Sequence, residues 1–263
     1  MVYTPSVISL AGALRAEPGR AQDSADREVM RLRGAPQPPT QACDIAYLHS
    51  DGSAREARRT VPALPVFEAA FSAFARGTLI ATPHGPVAIE DLAPGMKVLT
   101  NERGPSPILW IGSMSLRRSE TAPDALRLTR IMTGALGMGR PMADLMTGPG
   151  ARIAQRNQSQ SANAHSEMVL RPVRDILDGT HVIELCPPGA VQLYHIALRR
   201  HATIVAAGLA VETYHPGPGF EHHLTFRQLA QFIELFPHVE HPADFGGLVH
   251  PRAPLGTGAK AVT

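Results

Sequence analysis

Two histidines six residues apart, His195 and His201, and one cysteine upstream of them, Cys186, are the side chains best suited to chemistry in this chain. On an alternating strand an even separation keeps both imidazoles on one face. A pair placed that way could share acid–base work or hold a metal. No carboxylate or thiolate stands beside them at ligand spacing, so they read as hydrogen-bonding structural histidines, and neither a metal nor a cofactor is called for. Cys186 follows Ile183-Glu184-Leu185 at an expected strand end, where it is either a displaced nucleophile or a small buried apolar residue. His215, His222, His223, His238, His241 and His250 form a second group in a Pro- and Gly-rich C-terminal stretch, a setting that reads as solvated surface rather than a cation site. The pairs Arg117-Arg118 and Arg199-Arg200 read as edge charges that discourage strand pairing.

The elements that must position these groups are short and β-leaning. From Thr78 onward, runs of alternating or β-branched residues broken by Gly, Pro and Asn predict strands over 78–82, 87–89, 97–100, 108–115, 125–131, 151–155, 181–185, 191–198 and 203–206. Pro83-His84-Gly85, Arg103-Gly104-Pro105 and Pro187-Pro188-Gly189 are the expected tight turns. Helices are expected at 169–177 and at 224–236, the second capped by Thr225 with Phe226, Leu229, Ile233 and Phe236 on its packed face. Residues 16–62 lack sustained apolar periodicity and read as a disordered lead-in, with 43–48 a small apolar island that is either a docking strand or a transient contact. The polar run 157–166 reads as an exposed loop, and the chain after Pro237 as a fraying tail.

Composition narrows the function classes. A 263-residue chain that is 44% hydrophobic can bury a substantial core. A net charge of +2 with 18% charged residues argues against nucleic-acid binding by bulk electrostatics. Two distant cysteines, Cys43 and Cys186, do not suggest a disulfide framework. No window approaches the ~20 apolar residues of a membrane span and no basic region precedes the weak N-terminal apolar run, so a cytoplasmic protein is expected, with leaderless secretion left open.

Phe74-Ala75-Arg76-Gly77-Thr78-Leu79-Ile80, Thr82-Pro83-His84-Gly85 and Gly95-Met96-Lys97-Val98-Leu99 together resemble the opening of the Hint (hedgehog/intein) self-processing family. Trp110-Ile111-Gly112, Gly134-Ala135-Leu136-Gly137, Asp144-Leu145-Met146-Thr147-Gly148-Pro149-Gly150-Ala151-Arg152 and Val191 to Thr213 continue the resemblance in order, in the manner of the family's bacterial branch. It implies an all-β fold, a horseshoe of short twisted strands with one or two short helices. It also implies a Cys or Ser nucleophile where this chain has Ala73, a Ser at Gly148, a motif histidine at Ala151, and, for splicing, a terminal His-Asn where the chain reads Glu212-Thr213. A thiol or hydroxyl must attack the preceding carbonyl to begin self-processing, and alanine carries neither. The expectation is therefore a disordered segment 1–62, a Hint-like domain 63–217 that has lost self-cleavage and serves as a binding or structural module with a protein partner, and a helix and tail 218–263. The alternative is self-processing through a non-standard group, with His201, His195 or Cys186 as candidates.

Overall fold

The computed structural model describes residues 38–117, 126–157 and 168–253. All nine expected strands are present, joined by others, and the named strands pair antiparallel, with an isolated parallel bridge between Leu170 and Arg252. The first is a hairpin, β1 (Thr40–Leu48) with β2 (Ala54–Pro62), in continuous register from Thr40↔Pro62 to Leu48↔Ala54. A short helix, α1 (Pro65–Ala69), leads into β3 (Phe74–Ala75), followed by the hairpin of β4 (Leu79–Thr82) and β5 (Gly85–Ala88). β6 (Lys97–Thr100) turns into the long β7 (Gly104–Leu116). Next come β8 (Leu128–Ile131), β9 (Leu145–Thr147), β10 (Arg152–Arg156), β11 (Met168–Pro172), β12 (Val182–Leu185), β13 (Val191–Leu198), β14 (Thr203–Ala206) and β15 (Leu209–Glu212), and then helix α2 (Phe226–Ile233).

β7 is the seam of the sheet. Its first residues pair with β6 through Pro107↔Lys97, its remainder pairs with β13, and residues 110–114 also receive β1 on the other side. One path of hydrogen-bonded strands therefore runs β11-β10-β15-β14-β6-β7-β13-β3-β9-β8-β12. Of the three expected turns, Pro83-His84-Gly85 closes the β4–β5 hairpin around Pro83-His84, while the turn expected at Arg103-Gly104-Pro105 is displaced to Asn101-Glu102-Arg103, because Gly104 and Pro105 already pair with β6. Pro187-Pro188-Gly189 closes no hairpin, because β12 pairs with β8 while β13 pairs with β7 and β3.

Two buried clusters hold the strands together. One is aliphatic, with Ile80, Val98, Ile108, Ile153, Ile196, Ile204 and Val211 at its centre. The other is aromatic and gathers residues from both ends of the described chain: Cys43, Ile45 and Val61 of the hairpin, Phe67 and Phe71 around α1, Trp110 of β7, and Phe220, Phe232 and Phe236 beyond β15. Phe67 meets Phe232 edge-on at 5.4 Å, Trp110 lies 4.7 Å from Phe236, and the indole N–H donates to the Leu235 carbonyl. Each such ring pair adds about 0.5–1.5 kcal/mol beyond its area.

Four expectations need correction. Residues 40–62 are a docked hairpin rather than a disordered lead-in, with the island 43–48 a docking strand, the first of its two alternatives; β2 is charge-rich and exposed along most of its length, and it is ordered by its ladder to β1 and by β1's ladder to β7. Residues 168–172 are strand β11 followed by a 3₁₀ turn at Val173–Ile176, because the ladder to β10 and Pro172 outweigh the local helical pattern. Helix α2 has the expected Thr225 cap, completed by Gln228, and Leu229, Ile233 and Phe236 of its expected face pack on the aromatic cluster, but Phe232 joins them and Phe226 is 91% exposed. The chain after Pro237 does not fray as far as Ala253: Val239 and Phe245 join the aromatic core, and Ala253 N–H donates to the Leu170 carbonyl. The parts of the lead-in before residue 38, most of the polar loop, Arg118 and the chain after residue 253 lie outside the described residues.

Candidate functional site

The Ser72–Ala73 peptide sits between β13 and the loop after β9. Ala73 N–H donates to the Tyr194 carbonyl at 3.0 Å, Gly148 N–H donates to the Ala73 carbonyl at 3.0 Å, and Gly150 N–H donates to the Ser72 carbonyl at 2.9 Å. The loop after β9 can come this close because it carries glycine. A Cβ on Gly148 would overlap the Ser72 carbonyl oxygen and lie 2.8 Å from Leu193 Cδ1, while one on Gly150 would lie 2.8 Å from the Ala69 carbonyl oxygen. Ala73 and Ala151 are both buried in the aliphatic cluster. The position expected for a nucleophile thus offers a methyl group, packed among hydrocarbon. The hydroxyl of Ser72 is buried and, among the described residues, has no hydrogen-bond partner.

The other half of the site surrounds Glu212 at the end of β15. His201 Nε2 lies 3.0 Å from Glu212 Oε1, and Val249 N–H donates to His201 Nδ1 at 3.0 Å. A backbone donor on Nδ1 leaves the proton on Nε2, so the imidazole donates to the carboxylate. Arg252 Nε donates to the same carboxylate at 2.9 Å, and Arg152 reaches its other oxygen at 3.6 Å. Burial alone would raise the Glu212 carboxyl, but the His201 hydrogen bond and the two guanidinium charges outweigh it and hold it below its usual range. The next residue, Thr213, clamps Ala202: its hydroxyl accepts from Ala202 N–H at 3.1 Å and donates to the Ala202 carbonyl at 3.0 Å. Replacing Arg252 leaves a 2% exposed carboxylate short of a partner. Arg252→Met is expected to lower stability by about 3–5 kcal/mol in urea unfolding at neutral pH, and Glu212→Gln in the same chain is expected to recover part of that loss.

His195 and His201 do not lie on one continuous alternating strand. β13 ends at Leu198 and the chain turns through 199–202, which breaks the alternation assumed between them. The His195 ring packs edge-on to Phe74 at 5.9 Å and Tyr214 at 5.2 Å, whereas that of His201 meets His215 at 5.3 Å. Burial pushes His195 down to about 3, so it is a neutral ring in an aromatic setting. Cys186 is exposed after β12, the third strand along the sheet from β3. Cys43 is buried, and burial together with the Asp44 charge pushes its thiol up to about 12.

The C-terminal histidines are dispersed, and they are not uniformly a solvated surface. His222 and His223 are exposed, His215 bonds the Gly246 carbonyl at 3.0 Å, His250 lies 3.2 Å from Glu102, and His238 packs against Phe236. Among the described residues no three His, Cys, Asp or Glu side chains converge as a metal cage. Arg199 and Arg200 are exposed, as edge charges should be.

Sequence reasoning missed Arg252, Arg152 and the pairing of Glu212 with His201. Arg252 stands 40 positions after Glu212 in a stretch with no periodicity, and no local signal ties the two.

No curated protein matches the chain. Among solved structures, similarity is found to a bacterial intein-like domain from Clostridium thermocellum, at 13% identity and TM-score 0.35 over 54% of this chain and 99% of that one. The Msm DnaB1 intein splicing domain bound with zinc matches at 14% identity and TM-score 0.35, over 54% of this chain and 100% of that one. The gp41-1 intein matches at 14% identity and TM-score 0.33, over 55% of this chain and 98% of that one. The family model described as "Hint domain" matches residues 72–218, from the residue before Ala73 to beyond β15. With more than half of its 263 residues under that match, the chain belongs to the Hint domain family.

Proposed function

We propose that this Hint domain does not cut its own backbone and acts as a binding or structural module. The observation that carries the reading is the shared aromatic core. Residues on the upstream side of the Ser72–Ala73 bond (Ile45, Val61, Phe67, Phe71) and residues downstream of β15 (Phe220, Phe232, Phe236) are buried against one another. In a self-processing domain the flanking segment leaves. Here departure would strip several large apolar side chains from the core, at about 1.5–3 kcal/mol each. The residue types agree: Ala73 has no atom to attack the Ser72 carbonyl, and Ala151 has no proton to give the departing nitrogen.

The intact mass of the untagged protein, followed over prolonged incubation with and without a strong thiol, tests this. One full-length species in both conditions is expected. Fragments separated near Ser72-Ala73 would sink the reading and make the chain a working self-processor.

A further inference from the structure

A cleft of about 1030 Å³ lies beside β10, β11 and β15, apart from the Ser72–Ala73 peptide. Ile153 and Leu209 contribute to its walls, and Arg140, Arg156 and Arg171 line it from the turn before β9, the end of β10 and the middle of β11. Among the described residues none of these three guanidinium groups has a carboxylate within ion-pair distance; Arg59, Arg103, Arg174, Arg199, Arg200 and Arg227 also lack one, and what sets these three apart is that they line one cleft. Two carboxylates also line the cleft. Glu102 is already engaged by Thr203 N–H at 3.0 Å, the Thr203 hydroxyl at 2.7 Å and His250 at 3.2 Å. Asp175 has one buried oxygen without a hydrogen-bond partner among the described residues.

We propose that this cleft binds a small molecule bearing two or more oxyanion groups. Three planar forks with open donors on a shared concave wall are suited to bidentate contact with carboxylate or phosphate oxygens. The volume is that of a small-molecule site, and the apolar part of the wall accommodates the body that carries the anions. Asp175 is the opposing charge, and it limits how tightly an anion with no donor of its own is held. The proposal is independent of whether the Ser72–Ala73 bond is ever cut.

Titration calorimetry of the full chain with citrate and with inorganic tripolyphosphate, at about 0.01 M salt where charges are little screened, separates carboxylate from phosphate as the source. Binding of at least one probe at submillimolar concentration is expected. Arg140→Gln/Arg156→Gln/Arg171→Gln should weaken it at least about tenfold, the cost of one to two charge-assisted bonds. Arg199→Gln/Arg200→Gln/Arg227→Gln removes the same net charge from elsewhere on the surface and should change it less than about twofold. Asp175→Asn removes the opposing charge without touching the arginines, and should strengthen binding about threefold or more. Absence of heat with both probes at millimolar concentration, or equal weakening by the two triple variants, would overturn the proposal.

Discussion

Gly148→Ser, which restores the residue type that the family resemblance places at this position, is expected to destabilise the protein by about 3 kcal/mol or more. The physical reason is contact rather than backbone conformation. A side chain at 148 begins with a Cβ that overlaps the Ser72 carbonyl oxygen and crowds Leu193, and both are held in place, one by the hydrogen bond from Gly150 and the other by complete burial. Relief requires the loop after β9 to back away from β3, which breaks the hydrogen bonds Gly148→Ala73 and Gly150→Ser72 at about 1 kcal/mol each. Gly189→Ala is the matched control, because a Cβ at that position would meet no atom within 4 Å. Urea midpoints measured side by side should show a large loss for Gly148→Ser and almost none for Gly189→Ala. Equal, small losses would mean that the loop is free to withdraw, and that the tight seat of the Ser72–Ala73 peptide is not a fixed feature of the domain.

Acid should unfold the protein well above the range in which its carboxylates titrate. Burial pushes His195 down to about 3 and His215 and His238 to about 4. In the unfolded chain each imidazole titrates near 6.5. Below that value the unfolded state takes up protons that the folded state refuses, so stability is complete above about pH 6.5 and is lost as the pH falls toward 4. The slope is about 1.4 kcal/mol per pH unit for each histidine, and three of them together remove about 6 kcal/mol by pH 5, comparable with the whole stability of many domains. Glu212, held low by His201, Arg252 and Arg152 despite its burial, keeps its contribution above the ordinary carboxylate range and loses it as the pH drops through its lowered value. Urea midpoints at intervals from pH 7.5 to 4.5 should fall continuously below pH 6.5. His238→Leu removes a buried Nδ1 that has no partner, and should take away about a third of the slope. A flat profile across that window would show that the buried rings open to solvent and protonate without unfolding.

Much of the strand framework was legible because its signals are local. Alternation in Val191–Leu198, the turn residues between β4 and β5, and the Thr225/Gln228 capping box each act within a few residues. In the hairpin β1–β2 only the apolar island 43–48 was legible, with a docking strand as one of its two readings, and β2 was illegible for the opposite reason. Arg55, Glu56, Arg58 and Arg59 do not favour a strand, and the segment is one only because β7 presents an edge for β1 to pair with. Phe226 and Phe232 mark the limit on helix α2: the periodicity identified the helix and placed Leu229, Ile233 and Phe236 inward, but that Phe232 joins them while Phe226 stays exposed follows from where Phe67 and Phe220 stand. The chemistry divides in the same way. That residues 73 and 151 carry methyl groups, and so can neither attack a carbonyl nor move a proton, is covalent information present in the sequence by itself. That the segments on either side of the Hint region share one aromatic core, that Gly148 and Gly150 close upon the Ser72 carbonyl, and that Arg252 completes the charge balance of Glu212 were decided only by tertiary structure, because each joins residues whose sequence separation leaves no local pattern.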